Sequence, residues 1–284
     1  MKFKKNKSGF SKKNQGSELK KTGKTSEKVS AKKHLGQHFL ENLSIAQQIV
    51  ESLTGYDNYT QAIEIGPGMG VLTQFLIKNK KFKTYAIDVD VESVTYLKTH
   101  FPDFEKQMIF GDFLRTDIPK LVNNTSFAVI GNFPYNISTE ILFKILDYKD
   151  LVPEVVGMFQ KEVAERISAK PGNKSYGITS VLLQAYYSIE YLFTVHENEF
   201  NPPPKVKSGV IRMKRNATKK LNCNEQFFKT IVKTAFNQRR KMLSNSLKTY
   251  ISDNQKELNI FKLRPENLSV DQFVKLTNIL ETKV

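Results

Sequence analysis

Residues 127–136 of this 284-residue chain read Phe-Ala-Val-Ile-Gly-Asn-Phe-Pro-Tyr-Asn. The apolar run 127–130 predicts a buried β-strand, and the polar turn after it stands at the strand's carboxyl end, where open α/β sheets carry their chemistry. Asn132 offers a carbonyl oxygen, Pro134 stiffens the backbone, and Tyr135 offers a flat face on which a base can stack. The pattern indicates a pocket for a planar amine, with a simple proline turn carrying a surface tyrosine as the alternative.

Strand-like and helix-like segments alternate on both sides of this stretch. The predicted strands are 62–65, 84–87, 108–110, 127–130, 155–159, 189–195 and 206–213, and the predicted helices are 71–77, 91–97, 137–146, a run from 161, and 178–187. This alternation predicts an α/β fold with a mostly parallel sheet, helices on both faces and an antiparallel edge formed by the two late strands. We expect a disordered basic tail at 1–30, an α/β domain at 31–215 and a small all-α domain at 216–284.

Composition limits the classes of function. The net charge is +16, and the first 33 residues hold 12 Lys against 2 Glu. This balance predicts a polyanionic partner, nucleic acid or an anionic membrane surface, and makes the tail either a solubilising extension or an RNA-binding arm. The single Cys223 allows no internal disulfide, no apolar run of about 18 residues predicts a membrane span, and the charged N-terminus argues against export. We therefore expect a cytoplasmic protein.

A glycine loop follows the first predicted strand. In Glu64-Ile65-Gly66-Pro67-Gly68-Met69-Gly70, the glycines let the backbone approach a ligand beside a helix N-terminus. A tight turn or a phosphate loop is the alternative, although no Gly-Lys-Ser/Thr follows, which disfavours a loop for a nucleoside triphosphate.

Acidic residues end the next two strands. Asp88, 22 positions after Gly66, can accept both hydroxyls of a ribose, and Asp112 can accept the exocyclic amine of an adenine. The alternatives are a helix cap for Asp88, which Asp90 fits better, and an ordinary turn for Asp112. Polar groups at the ends of three successive strands nevertheless indicate one nucleoside ligand along the sheet edge. The four histidines show no ligand spacing, so we predict no metal site.

Taken together, these motifs resemble those of class I S-adenosylmethionine-dependent methyltransferases, and within them the small-subunit ribosomal RNA adenine dimethyltransferases. Three further blocks support the narrower resemblance: Lys33–Leu40, Phe200–Val206 and Gln238–Leu243. The similarity runs from about residue 31 to 275 and implies a Rossmann-like fold with a seven-stranded sheet and a C-terminal helical domain that binds RNA. The lysine-rich tail is not part of the family pattern.

The resemblance also implies residue roles around S-adenosylmethionine. The cofactor contacts would come from His38, Leu40, Gly66, Gly68, Asp88, Asp112 and Asn132, with Asn132 bridging cofactor and target. The chain departs from the usual pattern at His38, where the family usually has Asn, and at Asp88, where many relatives have Glu.

For the target adenine, we expect Asn132 and a carbonyl of the Phe133–Pro134 turn to accept the two N–H groups of N6, so that its lone pair faces the methyl group. Tyr135 and Phe200 would hold the base between them, although Phe200 can instead be a core aromatic. The candidate phosphate contacts are Lys205, Lys207, Arg212, Lys214, Arg215, Arg239, Arg240 and Lys241, each of which can also be a solvated surface charge.

By resemblance, the expected activity is dimethylation of two adjacent adenines in a loop near the 3′ end of small-subunit rRNA, on a pre-30S particle, by a monomer without a metal. A large-subunit adenine methyltransferase of the macrolide-resistance type is the runner-up, and the block 238–241 favours the small-subunit type. A non-catalytic assembly factor is the third hypothesis, and it predicts no binding of S-adenosylmethionine. A DNA adenine methyltransferase has least support, because no separate target-recognition domain is evident.

Overall fold

The computed structural model describes residues 29–281, so the predicted tail lies outside the described residues except for its last two positions, of which Val29 is buried. The strands are β1 (Phe39–Leu40), β2 (Gln61–Ile65), β3 (Lys83–Asp88), β4 (Met108–Phe110), β5 (Phe127–Asn132), β6 (Glu154–Gln160), β7 (Tyr187–Val195), β8 (Phe200–Asn201) and β9 (Ser208–Arg215). The α-helices are α1 (Leu43–Glu51), α2 (Thr73–Leu76), α3 (Val91–His100), α4 (Ile118–Leu121), α5 (Ser138–Asp147), α6 (Lys161–Ser168), α7 (Ile178–Gln184), α8 (Glu225–Asn237), α9 (Leu243–Ser246) and α10 (Val270–Glu281).

Seven of the strands form one sheet in the order β4-β3-β2-β5-β6-β9-β7. The five strands from β4 to β6 are parallel, whereas β9 pairs antiparallel with both β6 and β7. The mostly parallel sheet with an antiparallel edge is therefore confirmed. Because β2, β3, β4 and β5 run in the same direction, their carboxyl ends open on one edge of the sheet.

The central strands are buried on both faces, and alternate side chains enter different cores. In β5, Phe127 and Val129 pack into a cluster with α5, α6 and α7, while Ala128 and Ile130 pack into a second cluster with α1 and α2. A strand covered on both faces carries a continuous apolar run, which is why 127–130 shows no alternation.

The C-terminal helices share the first of these cores. Phe228 and Ile231 of α8 belong to the same buried cluster as Ile211 of β9, and the rings of Tyr176 and Phe236 meet with centroids 6.2 Å apart. No break in the core marks the boundary predicted between residues 215 and 216, and the division into domains stays a prediction.

Several element boundaries differ from those predicted. The helix expected over 71–77 is limited to α2, and the helical run expected over 178–187 ends at Gln184 because Tyr187 already pairs with Arg215 in the sheet. The pairing of β1 with β8 was not predicted, since two-residue strands carry no periodic signal.

A buried carboxylate organises the loop before β2. Glu154, with no exposed surface, accepts hydrogen bonds from the Thr54 amide at 2.9 Å, the Thr54 hydroxyl at 2.8 Å, the Gly55 amide at 3.2 Å and the Tyr59 hydroxyl at 2.9 Å. All of these partners are donors, and a carboxylate, which only accepts hydrogen bonds, can pair with every one of them. Glu154 thereby connects the start of β6 to the chain entering β2.

We expect Glu154→Gln to lower the free energy of unfolding by about 2–4 kcal/mol. The NH2 group of the glutamine would face buried groups that also donate, so those hydrogen bonds would be lost. Urea denaturation measures the change, and Glu105→Gln, which alters an exposed partner of Lys98, serves as the matched control. Equal stability of the two variants would show that the Glu154 carboxylate does not organise this loop.

Candidate active site

A cavity of about 230 Å³ opens at the carboxyl ends of β2, β3, β4 and β5. Its lining consists of residues 35–39, Gly66, Gly68, Asp88, Val89, Asp112, Leu114 and residues 132–137. The structure therefore brings together eight of the residues predicted for the site, namely His38, Gly66, Gly68, Asp88, Asp112, Asn132, Pro134 and Tyr135. Leu40 lies beside it and lines a smaller adjoining cavity with Gly66. Phe200 lines neither of them.

The glycine loop after β2 takes backbone conformations that favour glycine. Gly66 has a φ of +66° and Gly68 a φ of +54°, and a Cβ on Gly68 would lie 2.8 Å from the ring of Phe39. The Gly66 amide donates to the Ile87 carbonyl at 3.0 Å, and the Gly68 amide donates to Asp88 Oδ2 at 3.3 Å. The loop is thus held against the end of β3, and its backbone forms one wall of the cavity.

Asp88 and Asp90 have separate roles. Asp90 is the N-cap of α3 and accepts from the Glu92 amide at 3.0 Å, which assigns to it the capping role that the sequence left open for Asp88. Asp88 accepts from the Asp90 amide at 2.9 Å and lines the cavity, with only 7% of its surface exposed. Burial raises the pKa of the Asp88 carboxyl to about 6, against the opposing effect of its backbone hydrogen bonds.

Glu64 is a second buried acid that the site prediction missed. It is 1% exposed, it lines the smaller cavity, and its Oε2 accepts from the Thr73 hydroxyl at 2.6 Å. Burial, with a smaller contribution from the nearby Asp88, raises the pKa of Glu64 to about 8, so the group is mostly neutral at pH 7. The sequence signal that could have identified Glu64 is an ionisable residue within an otherwise apolar strand.

The loop that carries Asp112 is held by a lysine from α5. Asp112 Oδ1 accepts from the Leu114 amide at 2.8 Å, and Lys144 Nζ donates to the Leu114 carbonyl at 2.8 Å and to the Thr116 carbonyl at 2.7 Å. Desolvation lowers the pKa of Lys144. No sequence pattern indicates this contact, because Lys144 lies 28 residues or more from its partners.

The turn after β5 presents acceptors to the cavity. Asn132 Nδ2 donates to the His38 carbonyl at 2.9 Å, which fixes the amide and leaves Oδ1 as its acceptor. The Pro134 carbonyl already accepts from the Ile137 amide at 3.2 Å, whereas no donor within residues 29–281 contacts the Phe133 carbonyl. The Phe133 ring is fully buried, edge-on to Phe159 at a centroid distance of 5.1 Å.

The aromatic pair differs from the one expected. Tyr135 bonds to the Ser208 hydroxyl at 2.5 Å, and its ring stacks on the His38 ring at 5.5 Å with an interplanar angle of 28°. Phe200 is 3% exposed within the second core cluster, because its pairing opposite Leu40 in β8 directs the ring inward and Asn201 outward. The structure therefore shows Phe200 packed in the core, as in the alternative, and outside the lining of the cavity that Tyr135 lines.

Two candidate phosphate contacts of the first basic block, Arg212 and Arg215, already bind groups within this chain. Arg212 pairs with Glu190 at 2.6 Å and donates to the Ser52 carbonyl at 3.2 Å. Arg215 donates to the Tyr186 carbonyl at 2.6 Å, and its side chain is 13% exposed. In contrast, Lys205, Lys207, Arg240 and Lys241 are exposed. In the second basic block, Arg239 also contacts Glu266 and the Asn173 carbonyl, so Arg240 and Lys241 remain available to a ligand there, and Lys205 and Lys207 in the first block.

Within residues 29–281, no cluster of three or more His, Cys, Asp or Glu has an arrangement that could hold a metal ion. None of the helices in this part of the chain has the length and apolar character needed to cross a membrane.

Comparison with known proteins identifies the family. The family model described as ribosomal RNA adenine dimethylase matches residues 28–282. The ribosomal RNA small subunit methyltransferase A of Cytophaga hutchinsonii is 60% identical over 258 residues, an alignment that covers 90% of this chain and 100% of that protein.

Solved structures agree on the fold. A dimethyladenosine transferase from Plasmodium falciparum matches with a TM-score of 0.73 and 25% identity, over 87% of this chain and 98% of that one. The 23S rRNA methyltransferase ErmE matches in fold alone, with a TM-score of 0.65 and 20% identity over 84% of this chain and 99% of its own. The family match and the full-length relative show that this chain belongs to the ribosomal RNA adenine dimethylases, which take their methyl groups from S-adenosylmethionine.

Proposed function

We propose that this chain transfers methyl groups from S-adenosylmethionine to N6 of adenines in small-subunit ribosomal RNA. The observation that carries the proposal is the Asn132 amide, which is held by the His38 carbonyl and lines the same cavity as Asp88 and Asp112. We further propose that two adjacent adenines near the 3′ end are each dimethylated, on a pre-30S particle in the cytoplasm, by a monomer that uses no metal.

The cavity suits a nucleoside with a cationic tail. Asp88 at the end of β3 is placed to accept the ribose hydroxyls, and Asp112 at the end of β4 to accept the adenine amine. The backbone of Gly66 and Gly68 permits the amino-acid part to lie close, with Leu40 beside it. The Asp88 and Asp112 carboxylates also favour the positive sulfonium electrostatically, since opposite charges attract and Asp88 is largely shielded from solvent.

The Asn132 turn supplies orientation rather than a base. The lone pair of the adenine N6 is delocalised into the ring, so its attack on the methyl group requires the nitrogen to become pyramidal. Asn132 Oδ1 and the Phe133 carbonyl can accept its two N–H groups and aim the lone pair at the sulfonium methyl. Bound S-adenosylmethionine would supply the methyl group, its C–S bond breaking as the N–C bond forms, and the methylated nitrogen would release its proton to water. The engaged Pro134 carbonyl makes Phe133 the better second acceptor.

The target base needs an aromatic face. Tyr135 offers one, but the His38 ring now lies on it, so the incoming adenine either displaces His38 or uses its ring as the second face. Phe200 remains our second candidate for that face, and it reaches the base only if the β1–β8 pair rearranges. A loop adenine reaches such a pocket at the least cost of unstacking, which favours folded RNA over duplex.

The runner-up functions remain distinguishable. A large-subunit methyltransferase would use the same cavity, and the fold likeness to ErmE does not separate the two. The small-subunit proposal is favoured by the name of the 60% identical relative and by the exposed Arg240 and Lys241. An assembly factor without catalysis would have no need for the acceptors arranged at Asn132.

We expect Asn132→Ala to lower methyl transfer roughly 10²- to 10³-fold, the effect of removing one positioned polar group from a transition state. Tritiated S-adenosylmethionine and small subunits from a strain lacking this protein provide the assay, and large subunits are assayed beside them. Asn79→Ala, in a turn outside the cavity, is the matched control. Equal incorporation by wild type and Asn132→Ala would refute the role of the amide, and transfer to large subunits alone would favour the runner-up.

We also expect the affinity for S-adenosylmethionine to fall as the pH is lowered through about 6, the pKa to which burial raises Asp88. The ionised carboxylate accepts both ribose hydroxyls, whereas the protonated form loses one acceptor. Calorimetry between pH 7.5 and 5 measures the change, and Asp88→Asn should bind weakly with little dependence on pH in this interval. A slope that persists in Asp88→Asn would assign the titration to another group.

A further inference from the structure

The N-terminal segment, residues 32–40, forms one wall of the cavity and is held at two ends. At its carboxyl end, Phe39 and Leu40 pair with β8, and the His38 carbonyl accepts from Asn132 Nδ2. The His38 ring also contacts the Pro202 carbonyl through Nδ1 at 2.8 Å. This end is therefore attached by backbone pairing to the strand that carries Phe200.

The amino end of the segment is held by one buried acid. Asp90 is 2% exposed, its Oδ1 receives the Lys32 ammonium, and its Oδ2 accepts from Gln37 Nε2 at 3.0 Å. Gln37 Oε1 in turn accepts from the Lys32 amide at 2.8 Å, which closes a ring of contacts between three side chains and one backbone group. Glu92 adds a weaker contact with Lys32 at 3.4 Å.

The position of this cluster connects the segment to the cofactor acid. Asp90 is two residues beyond Asp88, and its amide donates to Asp88 Oδ1 at 2.9 Å. Gln37 itself lines the cavity. A further hydrogen bond at this end is long: the Asn136 side-chain amide donates to the His34 carbonyl at 3.4 Å. The segment cannot move away from the cavity without breaking the contacts at Asp90.

We propose that Lys32, Gln37 and Asp90 form a latch that closes the N-terminal segment over the bound methyl donor and sets how fast the donor leaves. The proposal rests on the function proposed for this cavity. Asp90 and Lys32 act as positioning residues, because neither lines the cavity and both act through Gln37. Among residues 29–281, Lys32 is the cation that contacts the ionised Asp90, so its removal leaves a buried carboxylate without that partner and the closed arrangement becomes less populated.

The two sides of the latch can be altered separately. Lys32→Met keeps the length of the side chain and leaves α3 untouched, while Asp90→Asn keeps an oxygen that can accept from the Glu92 amide and so preserves the helix cap. Lys32→Arg retains the charge and is the rescue variant. The matched control is Lys98→Met, which removes a lysine from the exposed side of α3 without altering the contacts of the segment.

The experiment uses the full-length chain with S-adenosylmethionine as the probe, and thermal melting of each variant verifies that it folds. Stopped-flow displacement by S-adenosylhomocysteine measures dissociation. We expect Lys32→Met and Asp90→Asn each to speed dissociation roughly tenfold, as for the loss of one charged hydrogen bond, and the double variant to add little to either. Lys32→Arg should restore slow dissociation, and methyl transfer at saturating donor should change little.

Hydrogen exchange of the ligand-free chain is the second readout. The amides of residues 35–38 should exchange faster in Lys32→Met than in wild type or Lys98→Met, because the segment opens more often. Unchanged dissociation together with unchanged exchange in Lys32→Met would overturn the latch. A wild-type chain that binds no S-adenosylmethionine would overturn the proposed function instead, and the exchange experiment would still decide whether the latch exists.

Discussion

The Phe133 ring, packed into space left by two glycines, fixes the position of the turn that follows β5 and lines the cavity. Gly131 of β5 and Gly157 of β6 are register partners, and a Cβ on either would lie 2.8 Å or 2.6 Å from this ring. The ring is fully buried against Phe159, so the backbone on each side of it cannot shift. Asn132 and Pro134 flank the ring, so packing inside the sheet sets where they lie, and the hydrogen bond from Asn132 to the His38 carbonyl then orients the amide.

Much of the fold could be predicted from local pattern, and the failures share a cause. The runs 127–130 and 155–159 are apolar because both faces are covered, and the acids Asp88 and Asp112 stand where parallel strands end. The burial of Phe200 could not be predicted from its neighbours, because it comes from pairing with Leu40, 160 positions away in the chain. Arg215 was predicted as a phosphate contact for a similar reason. A lysine- and arginine-rich stretch does not reveal which of its side chains donates to the Tyr186 carbonyl inside the fold.

Charge is divided between the interior and the exterior of the protein. The chain carries a net charge of +16, yet the polar side chains that end its cofactor strands include Glu64, Asp88 and Asp112. A cationic methyl donor and a polyanionic RNA require opposite fields within one molecule. The buried Asp88 carboxylate is placed where its field would reach the proposed donor, and the exposed lysines and arginines act over the longer distances at which RNA approaches.

The burial of Asp88 also has a cost in stability at neutral pH. Burial raises the pKa of Asp88 to about 6 from an ordinary value near 3.8, so the folded chain binds more protons than the unfolded chain between those values. The stability that this group contributes is therefore present below pH 3.8 and is lost as the pH rises toward 6. At neutral pH the ionised Asp88 thus destabilises the ligand-free fold, and a bound cation with hydroxyl donors relieves that cost. Part of the stability of the folded chain is consequently linked to occupation of the site, which is expected where function rather than stability selects the residue.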